Sequence, residues 1–302
     1  MMTTMDYHNP VLLHDSVDGL GIKPDGIYVD VTFGGGGHSK EILRRLGPGG
    51  KLFAFDQDLD ALANALPDDR FTLINENFRF LKRFLRFHGV KQVDGILADL
   101  GVSSHQFDVP ERGFSTRFEG ELDMRMNQKS DLSAFTVVNQ YDHAHLSKIF
   151  VEYGELKNGP AMARVIIESR EHAPIRNTQQ LKVVLNRFLP QHKSNKILAQ
   201  IYQAIRIEVN QEMEVLKEFL EQALEVLKPG GRLSVISYHS LEDRLVKRFV
   251  RNGMFEGEPE RDFFGNFSVP FKSIEKLIIP TDDEIAANNR ARSAKLRIAE
   301  KV

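Results

Sequence analysis

The stretch Tyr28-Val-Asp-Val-Thr-Phe-Gly-Gly-Gly-Gly-His-Ser-Lys40 constrains this chain more than any other. It opens with residues that suit a buried strand, passes through four consecutive glycines and ends in the first turn of a predicted helix. Glycine costs roughly 0.5–1 kcal/mol against alanine wherever structure is regular. Four in a row therefore mark a place where the backbone turns tightly or something else comes close. A strand, a glycine loop and a helix N-terminus together expose backbone N–H groups and the positive end of a helix dipole, which makes a ligand site.

The rest of the chain supplies a sheet for that loop. Apolar runs at 27–31, 51–55 and 95–100 read as strands, with helical patterns at 39–46 and 59–66 between them. Such alternation indicates right-handed βαβ units and a parallel sheet. A further strand, 232–237, follows the turn Lys228-Pro-Gly-Gly231, and 294–298 reads as another. Between Pro110 and about Ile205 the strand signal fades, and helical windows lie at 143–152, 160–172, 178–188 and from 195 onward. The expectation is an α/β domain formed by 1–109 and 206–302, carrying an inserted helical domain at 110–205. There is no cysteine, which removes disulfides, thiolate zinc sites and cysteine nucleophiles and suits a reducing compartment. The start lacks a basic, apolar leader, and no run approaches the ~20 apolar residues of a membrane span. A cytoplasmic protein with no membrane partner is expected.

Several nucleotide folds use a glycine loop, and the spacing separates them. A P-loop needs lysine and Ser/Thr directly after its last glycine, but Gly37 is followed by His38. The dinucleotide pattern G-x-G-x-x-G started at Gly34 ends on Ser39, where glycine is wanted for close helix packing. Asp30-x-Thr32-x-Gly34-x-Gly36 instead fits the first motif of S-adenosylmethionine-dependent methyltransferases, with Thr32 replacing the usual first glycine. Asp56 ends the second strand nineteen residues beyond Gly37, placed to accept hydrogen bonds from both ribose hydroxyls of an adenosine. Asp58 reads as solvated or as a helix cap. Asp56 suits NAD and S-adenosylmethionine equally, so an NAD-dependent dehydrogenase stays open here. In Val93-Asp-Gly-Ile-Leu-Ala-Asp-Leu-Gly-Val-Ser-Ser-His-Gln106, Asp99 follows a strand and leads a loop of small polar residues, where ligands of open parallel sheets bind. A simple cap is the plainer role for that acid.

Taken together, the motifs resemble one family closely, the bacterial 16S ribosomal RNA cytosine-N4 methyltransferases of the MraW/RsmH type. The resemblance runs through His8-Asn-Pro-Val-Leu-Leu13, residues 30–39, Asp99-Leu-Gly-Val-Ser-Ser104, Arg112-Gly-Phe-Ser115, Leu122-Asp-Met-Arg-Met126, Tyr202-Gln-Ala-Ile-Arg-Ile-Glu-Val-Asn210, Ser237-Tyr-His-Ser-Leu-Glu-Asp-Arg244 and residues 289–300. It implies a class I S-adenosylmethionine-dependent methyltransferase fold, Rossmann-like with a mostly parallel sheet, bearing a helical substrate-recognition insertion. It further implies N4-methylation of a cytidine in the decoding region, at the P site, of 16S rRNA in the 30S subunit. Carried over residue by residue, its cofactor contacts fall on Gly36, Gly37, His38, Asp56, Phe78, Asp99 and Gln106. The phenylalanines at 78, 80, 84 and 87 also suit a helix that buries one face. Leu156-Lys-Asn-Gly-Pro-Ala-Met162 is less basic than the family pattern. A homodimer is compatible with the resemblance.

The chemistry narrows the catalytic candidates. A cytosine amino nitrogen is a poor nucleophile, so an acceptor for its hydrogens helps it become pyramidal. Amino methyltransferases often carry Asp/Asn-Pro-Pro-Tyr at this point; here Asp99-Leu-Gly-Val102 stands instead. Asp99, or a backbone carbonyl just after it, is the expected acceptor. Tyr238 and His239, just past a strand, are expected to line the base pocket or to pack structurally. Ser237, His239 and Asp243 are too near in sequence to converge as a hydrolase triad, and His143 and His145 have poor metal-ligand spacing; no metal is expected. Residues 157–206 hold nine Lys/Arg against two acids in a chain of net charge −2. That footprint, with Arg79–His88 and the run Arg290, Arg292, Lys295 and Arg297, suits an RNA partner. A non-catalytic RNA-binding factor would share those charges.

Overall fold

The computed structural model describes residues 10–259 and 268–302; His8 and Asn9, which open one of the family-like motifs, lie outside them. Seven strands, β1 (Ile27–Asp30), β2 (Lys51–Phe55), β3 (Phe71–Ile74), β4 (Val93–Asp99), β5 (Leu227–Ser237), β6 (Phe271–Ser273) and β7 (Lys295–Lys301), form one sheet in the order β3-β2-β1-β4-β5-β7-β6. Strands β1 to β5 pair in parallel, and β7 runs antiparallel to both β5 and β6. In chain order the helices are α1 (Leu13–Gly19), α2 (Gly37–Arg45), α3 (Leu81–Phe87), α4 (Ser104–Asp108), α5 (Ala134–Gln140), α6 (His143–Glu152), α7 (Gly159–Arg170), α8 (Thr178–Val184), α9 (Ser194–Asn210), α10 (Glu212–Val226), α11 (Ser240–Asn252) and α12 (Asp282–Ala287).

The sheet is α/β because its strands are apolar on both faces. Successive side chains of a strand point to opposite sides. Tyr28, Leu52 and Leu97 go one way, into a cluster with Val17, Leu20, Ile42 and Leu43 of the α1–α2 side. Val29, Phe53 and Ile96 go the other way, against Leu81, Leu85, Phe219, Leu220, Val246 and Phe249 from α3, α10 and α11. Burying both faces explains why residues 96–98 of β4 form an unbroken apolar run. Strand order reverses between β1 and β4, which opens a crevice at their carboxyl ends. Those ends carry Asp30 and Asp99.

The chain divides into two compact units, residues up to 101 with 213–302, and residues 102–212. The sequence pattern places the changes at 109/110 and 205/206. In the structure, Val102 and Phe107 already pack with the helical core of 102–212, and α9 stays within it through Val209. That core gathers Met124, Val137, Phe150, Ile166, Leu181 and Ile201.

Other differences have local causes. The window at 59–66 forms a 3-10 helix, Leu59–Asn64, rather than an α-helix, and 178–188 divides into α8 and a short 3-10 turn. β5 starts at Leu227 rather than after the glycines: Val93 pairs with Leu227 and Gly95 with Arg232, so 228–231 bulges out of the ladder. Among the described residues no helix is long and apolar enough to cross a membrane.

Candidate active site

The glycine loop follows β1 and leads into α2. Gly34 and Gly36 have φ of 51° and 76°, the left-handed region that glycine enters without strain. A Cβ on Gly37 would sit 2.1 Å from Pro10 Cγ, so that position has no room for a side chain. α2 begins at Gly37 without any side-chain cap. The N–H groups of Gly37, His38 and Ser39 thus meet no acceptor among the described residues; the first turn of any helix leaves such donors, and a helix N-terminus can offer them to an anionic group. Ser39, which breaks the dinucleotide pattern, donates its hydroxyl to Asp30 at 2.7 Å. Asp30 is fully buried and also accepts from the Thr32 N–H at 3.1 Å. Burial raises its pKa above the ordinary carboxylate value.

Asp56 stands at the end of β2, against the loop. Its carboxylate accepts from the Gly34 N–H at 2.7 Å and from the Asp58 N–H at 2.9 Å. Burial pushes its pKa up to about 6 in spite of those two bonds. Asn75 donates to the Asp56 carbonyl at 2.8 Å, and Asn64 donates to the Gly34 carbonyl at 3.0 Å. Asp58 is buried rather than solvated and caps the 3-10 helix by accepting from the Asp60 N–H at 3.2 Å. Phe78 is half-buried, its ring edge-on to Phe219 at 5.3 Å. It begins a 3-10 turn capped by Asn77, whose amide donates to Gln57 at 2.8 Å, so the turn is tied to the residue after Asp56.

Asp99 lies across the crevice from the loop. Its N–H donates to the Thr32 hydroxyl at 2.6 Å, which joins the ends of β4 and β1. Its carboxylate accepts from the Tyr238 hydroxyl at 2.7 Å, and His38 Nδ1 lies 4.0 Å from the other carboxylate oxygen. The Asp99 side chain keeps 23% of its surface exposed, whereas His38 is buried with Nε2 3.2 Å from the Val11 carbonyl. Burial raises the Asp99 pKa to about 6, opposed by the His38 charge and the Tyr238 hydrogen bond. Tyr238 is itself pushed well above its ordinary value, first by burial and then by Asp99. An accessible carboxylate that titrates near neutrality can accept or hand on a proton.

His239 has a different place from Tyr238. It is the N-cap of α11, with Nδ1 accepting from the Glu242 N–H at 3.4 Å while the Glu242 carboxylate takes the Tyr238 N–H at 2.8 Å. Among the described residues its contacts are those of the cap, and none reaches Asp99. Gln106 belongs to the second unit, where it is buried and closes a capping box with Ser103.

A family model described as the MraW methylase family matches residues 5–302. The chain belongs to the MraW methylase family. Curated relatives are called ribosomal RNA small subunit methyltransferase H. The protein of that name from Flavobacterium johnsoniae is 79% identical over 302 residues, all of both chains. That from Flavobacterium psychrophilum is 76% identical over 290 residues, 96% of this chain and all of the relative. That from Bacteroides thetaiotaomicron is 56% identical over 298 residues, 98% of each chain.

As an MraW methylase the chain is an S-adenosylmethionine-dependent enzyme of class I fold. The crevice suits that co-substrate: uncapped N–H groups of α2, a carboxylate at the end of β2 and an aromatic ring tied beside it. Thr32, Asn64 and Asn75 brace this arrangement, and sequence reasoning does not single them out as site residues. Only Thr32 carries a visible signal, since it occupies a motif position that glycine usually fills.

The basic runs seen in the sequence of this methylase are not equally available. Lys295 and Arg297 are held by Asp243, at 3.2 and 2.7 Å. Arg79 pairs with Glu218 at 2.6 Å and Lys82 with Glu225. In the second unit Arg206 pairs with Glu212 at 2.8 Å, and Arg170 donates to the Val138 and Tyr141 carbonyls. Lys157, Arg164, Arg176, Lys182, Arg187, Lys193 and Lys196 remain exposed there.

Proposed function

We propose that this methylase transfers the methyl group of S-adenosylmethionine to N4 of a cytidine at the P site of 16S rRNA in the 30S subunit. The observation that carries the chemistry is Asp99, accessible at the end of β4 and hydrogen-bonded by Tyr238 beside the loop that opens α2. Gly36, Gly37 and His38 would hold the amino-acid part of the donor, Asp56 the ribose hydroxyls and Phe78 the adenine. S-adenosylmethionine supplies a methyl group on a positively charged sulfur, already an excellent electrophile.

The protein's work lies on the other partner. Asp99 accepts a hydrogen bond from the N4 amino group, which draws its lone pair out of conjugation with the ring. The nitrogen forms its bond to the methyl carbon as the carbon–sulfur bond breaks, and the extra proton leaves N4 for Asp99 or water. Tyr238 orients the carboxylate while its second oxygen faces the base. Holding the reacting atoms in line contributes about 7–11 kcal/mol at most. The base must be single-stranded or flipped out to reach the crevice. Such a reaction belongs in the cytoplasm with the ribosomal subunits, and the reading is compatible with a homodimer.

Transfer of labelled methyl from S-adenosylmethionine to small subunits, followed by nucleoside analysis, tests this function. N4-methylcytidine is the expected product. Label on another base or another atom, or none on any small-subunit RNA, overturns it.

A further inference from the structure

α11 leaves the catalytic edge of the sheet directly after Tyr238 and His239. Its exposed residues are Arg244, Lys247, Arg248 and Arg251, and every exposed residue of the helix is one of these cations. The spacing i, i+3, i+4, i+7 aligns them on one face. Val246, Phe249 and Val250 bury the opposite face in the core. The two acids of the helix are both buried: Glu242 belongs to the cap, and Asp243 holds Lys295 and Arg297. Neither is paired with Lys247, Arg248 or Arg251.

Another cationic surface of the same unit is matched in part. On α3 and the turn before it, Arg79 and Lys82 pair with Glu218 and Glu225 of α10, while Arg83 and Arg86 stay exposed. No ion pair joins Lys247, Arg248 or Arg251 to a carboxylate among the described residues; Arg248 donates to the Gly257 carbonyl at 2.8 Å. Like charges one turn apart weaken a helix, and a surface needed only for solubility mixes both signs. A one-signed stripe is explained by a partner of opposite charge. At 1.5 Å per residue it extends about 10 Å away from the crevice.

We propose that the exposed face of α11 is a track for the phosphates of the RNA strand next to the target cytidine, carried by the methyltransferase unit itself and not by the helical insertion. The proposal rests on the ribosomal RNA reading above. Phosphodiesters are the anions such a strand presents at regular intervals, and Lys and Arg contact them without regard to sequence. The track would set the direction in which the strand leaves the base pocket.

The test is binding of deproteinised 16S RNA and of whole small subunits over a range of salt. It compares the wild-type protein, a Lys247→Gln/Arg248→Gln/Arg251→Gln variant and a Lys247→Arg/Arg248→Lys/Arg251→Lys variant. Losing three contacts to a single strand removes roughly 0.7 each from the slope of log affinity against log salt. The neutral variant should therefore show a slope shallower by about 2 and about tenfold weaker binding to both RNAs at low salt. The charge-conserving variant should match wild type, and all three should bind S-adenosylmethionine equally. An unchanged slope overturns the track, as does a loss that the charge-conserving variant shares. A defect confined to whole subunits points to an acidic protein partner and also overturns it. Absence of methyl transfer by the wild-type protein would sink the proposed function; normal wild-type transfer with an unaltered neutral variant would sink the track alone.

Discussion

The Tyr238 hydroxyl donates a 2.7 Å hydrogen bond to one oxygen of Asp99, so residues at the ends of β5 and β4 meet at the crevice. The bond favours the ionised carboxylate, while burial raises the Asp99 pKa to about 6. Tyr238→Phe removes a hydrogen bond to a charged group, worth about 1.5–3 kcal/mol, so the carboxylate should titrate roughly one unit or more higher. The acidic limb of kcat/KM against pH should move up accordingly, with most activity regained above pH 8. Asp99→Ala should instead lose on the order of 10²–10⁴-fold at every pH while still binding the methyl donor. Near-normal turnover by the alanine variant, or a limb that stays put in Tyr238→Phe, would remove Asp99 from the mechanism.

Stability should respond to Asp99 in the opposite sense to activity. Its pKa is raised from 3.8 to about 6 in the folded protein, so between those values the folded state holds more protons than the unfolded one. Unfolding free energy then falls as pH rises through this window, and the ionised group is a liability above it. Asp99→Asn should gain thermal stability relative to wild type at pH 8 and lose that advantage near pH 4. Melting curves at the two pH values check this; an equal difference at both would mean that folding does not raise the pKa of Asp99.

Much of the crevice is legible in the chain because two of the acids placed there, Asp56 and Asp99, stand at the ends of apolar runs. Asp56 and Asp99 each follow buried strands, β2 and β4, and such runs report their own burial on both faces. β3 and β6 leave no comparable trace. Phe71–Ile74 has only Ile74 fully buried, and Phe271–Ser273 is three residues long, so neither shows a pattern of its own. The braces are hidden for another reason. Thr32 reaches Asp99 across 67 positions, and Asp243 takes Lys295 and Arg297 across more than 50. Local spacing says nothing about such partners. The third basic run therefore looks like an RNA footprint in the sequence although its Lys295 and Arg297 are held by Asp243, whereas the uniform face of α11 emerges only once burial has removed its acids.

His239 can be assigned between two roles, lining the base pocket and capping a helix, by substitution. Its side chain caps α11, and losing a cap costs typically about 1 kcal/mol. His239→Ala should lower the melting temperature by a few degrees with kcat within about twofold of wild type, since no proton transfer passes through it. His239→Asn, a residue favoured at this position, should restore the stability. A large fall in kcat that asparagine does not rescue would return the histidine to the base pocket.

The glycine loop offers an internal control for backbone strain. Gly36 and Gly89 have nearly the same φ, 76° and 73°, so alanine at either meets a similar left-handed penalty, about 1–2 kcal/mol. Around Gly89 a Cβ would find nothing within 4 Å, whereas at Gly36 it would lie 2.9 Å from the Phe33 ring. Gly89→Ala should therefore lose stability alone and keep wild-type affinity for S-adenosylmethionine. Gly36→Ala should lose more, because Phe33 must shift, and the shift moves the loop whose Gly34 N–H is held by Asp56. Its affinity for the methyl donor should drop about 10–100-fold, the worth of one or two misplaced hydrogen bonds to charged groups. Calorimetric titration with the donor separates the cases: equal affinities in the two variants would show that the loop tolerates the shift and that its glycines serve the turn rather than the ligand.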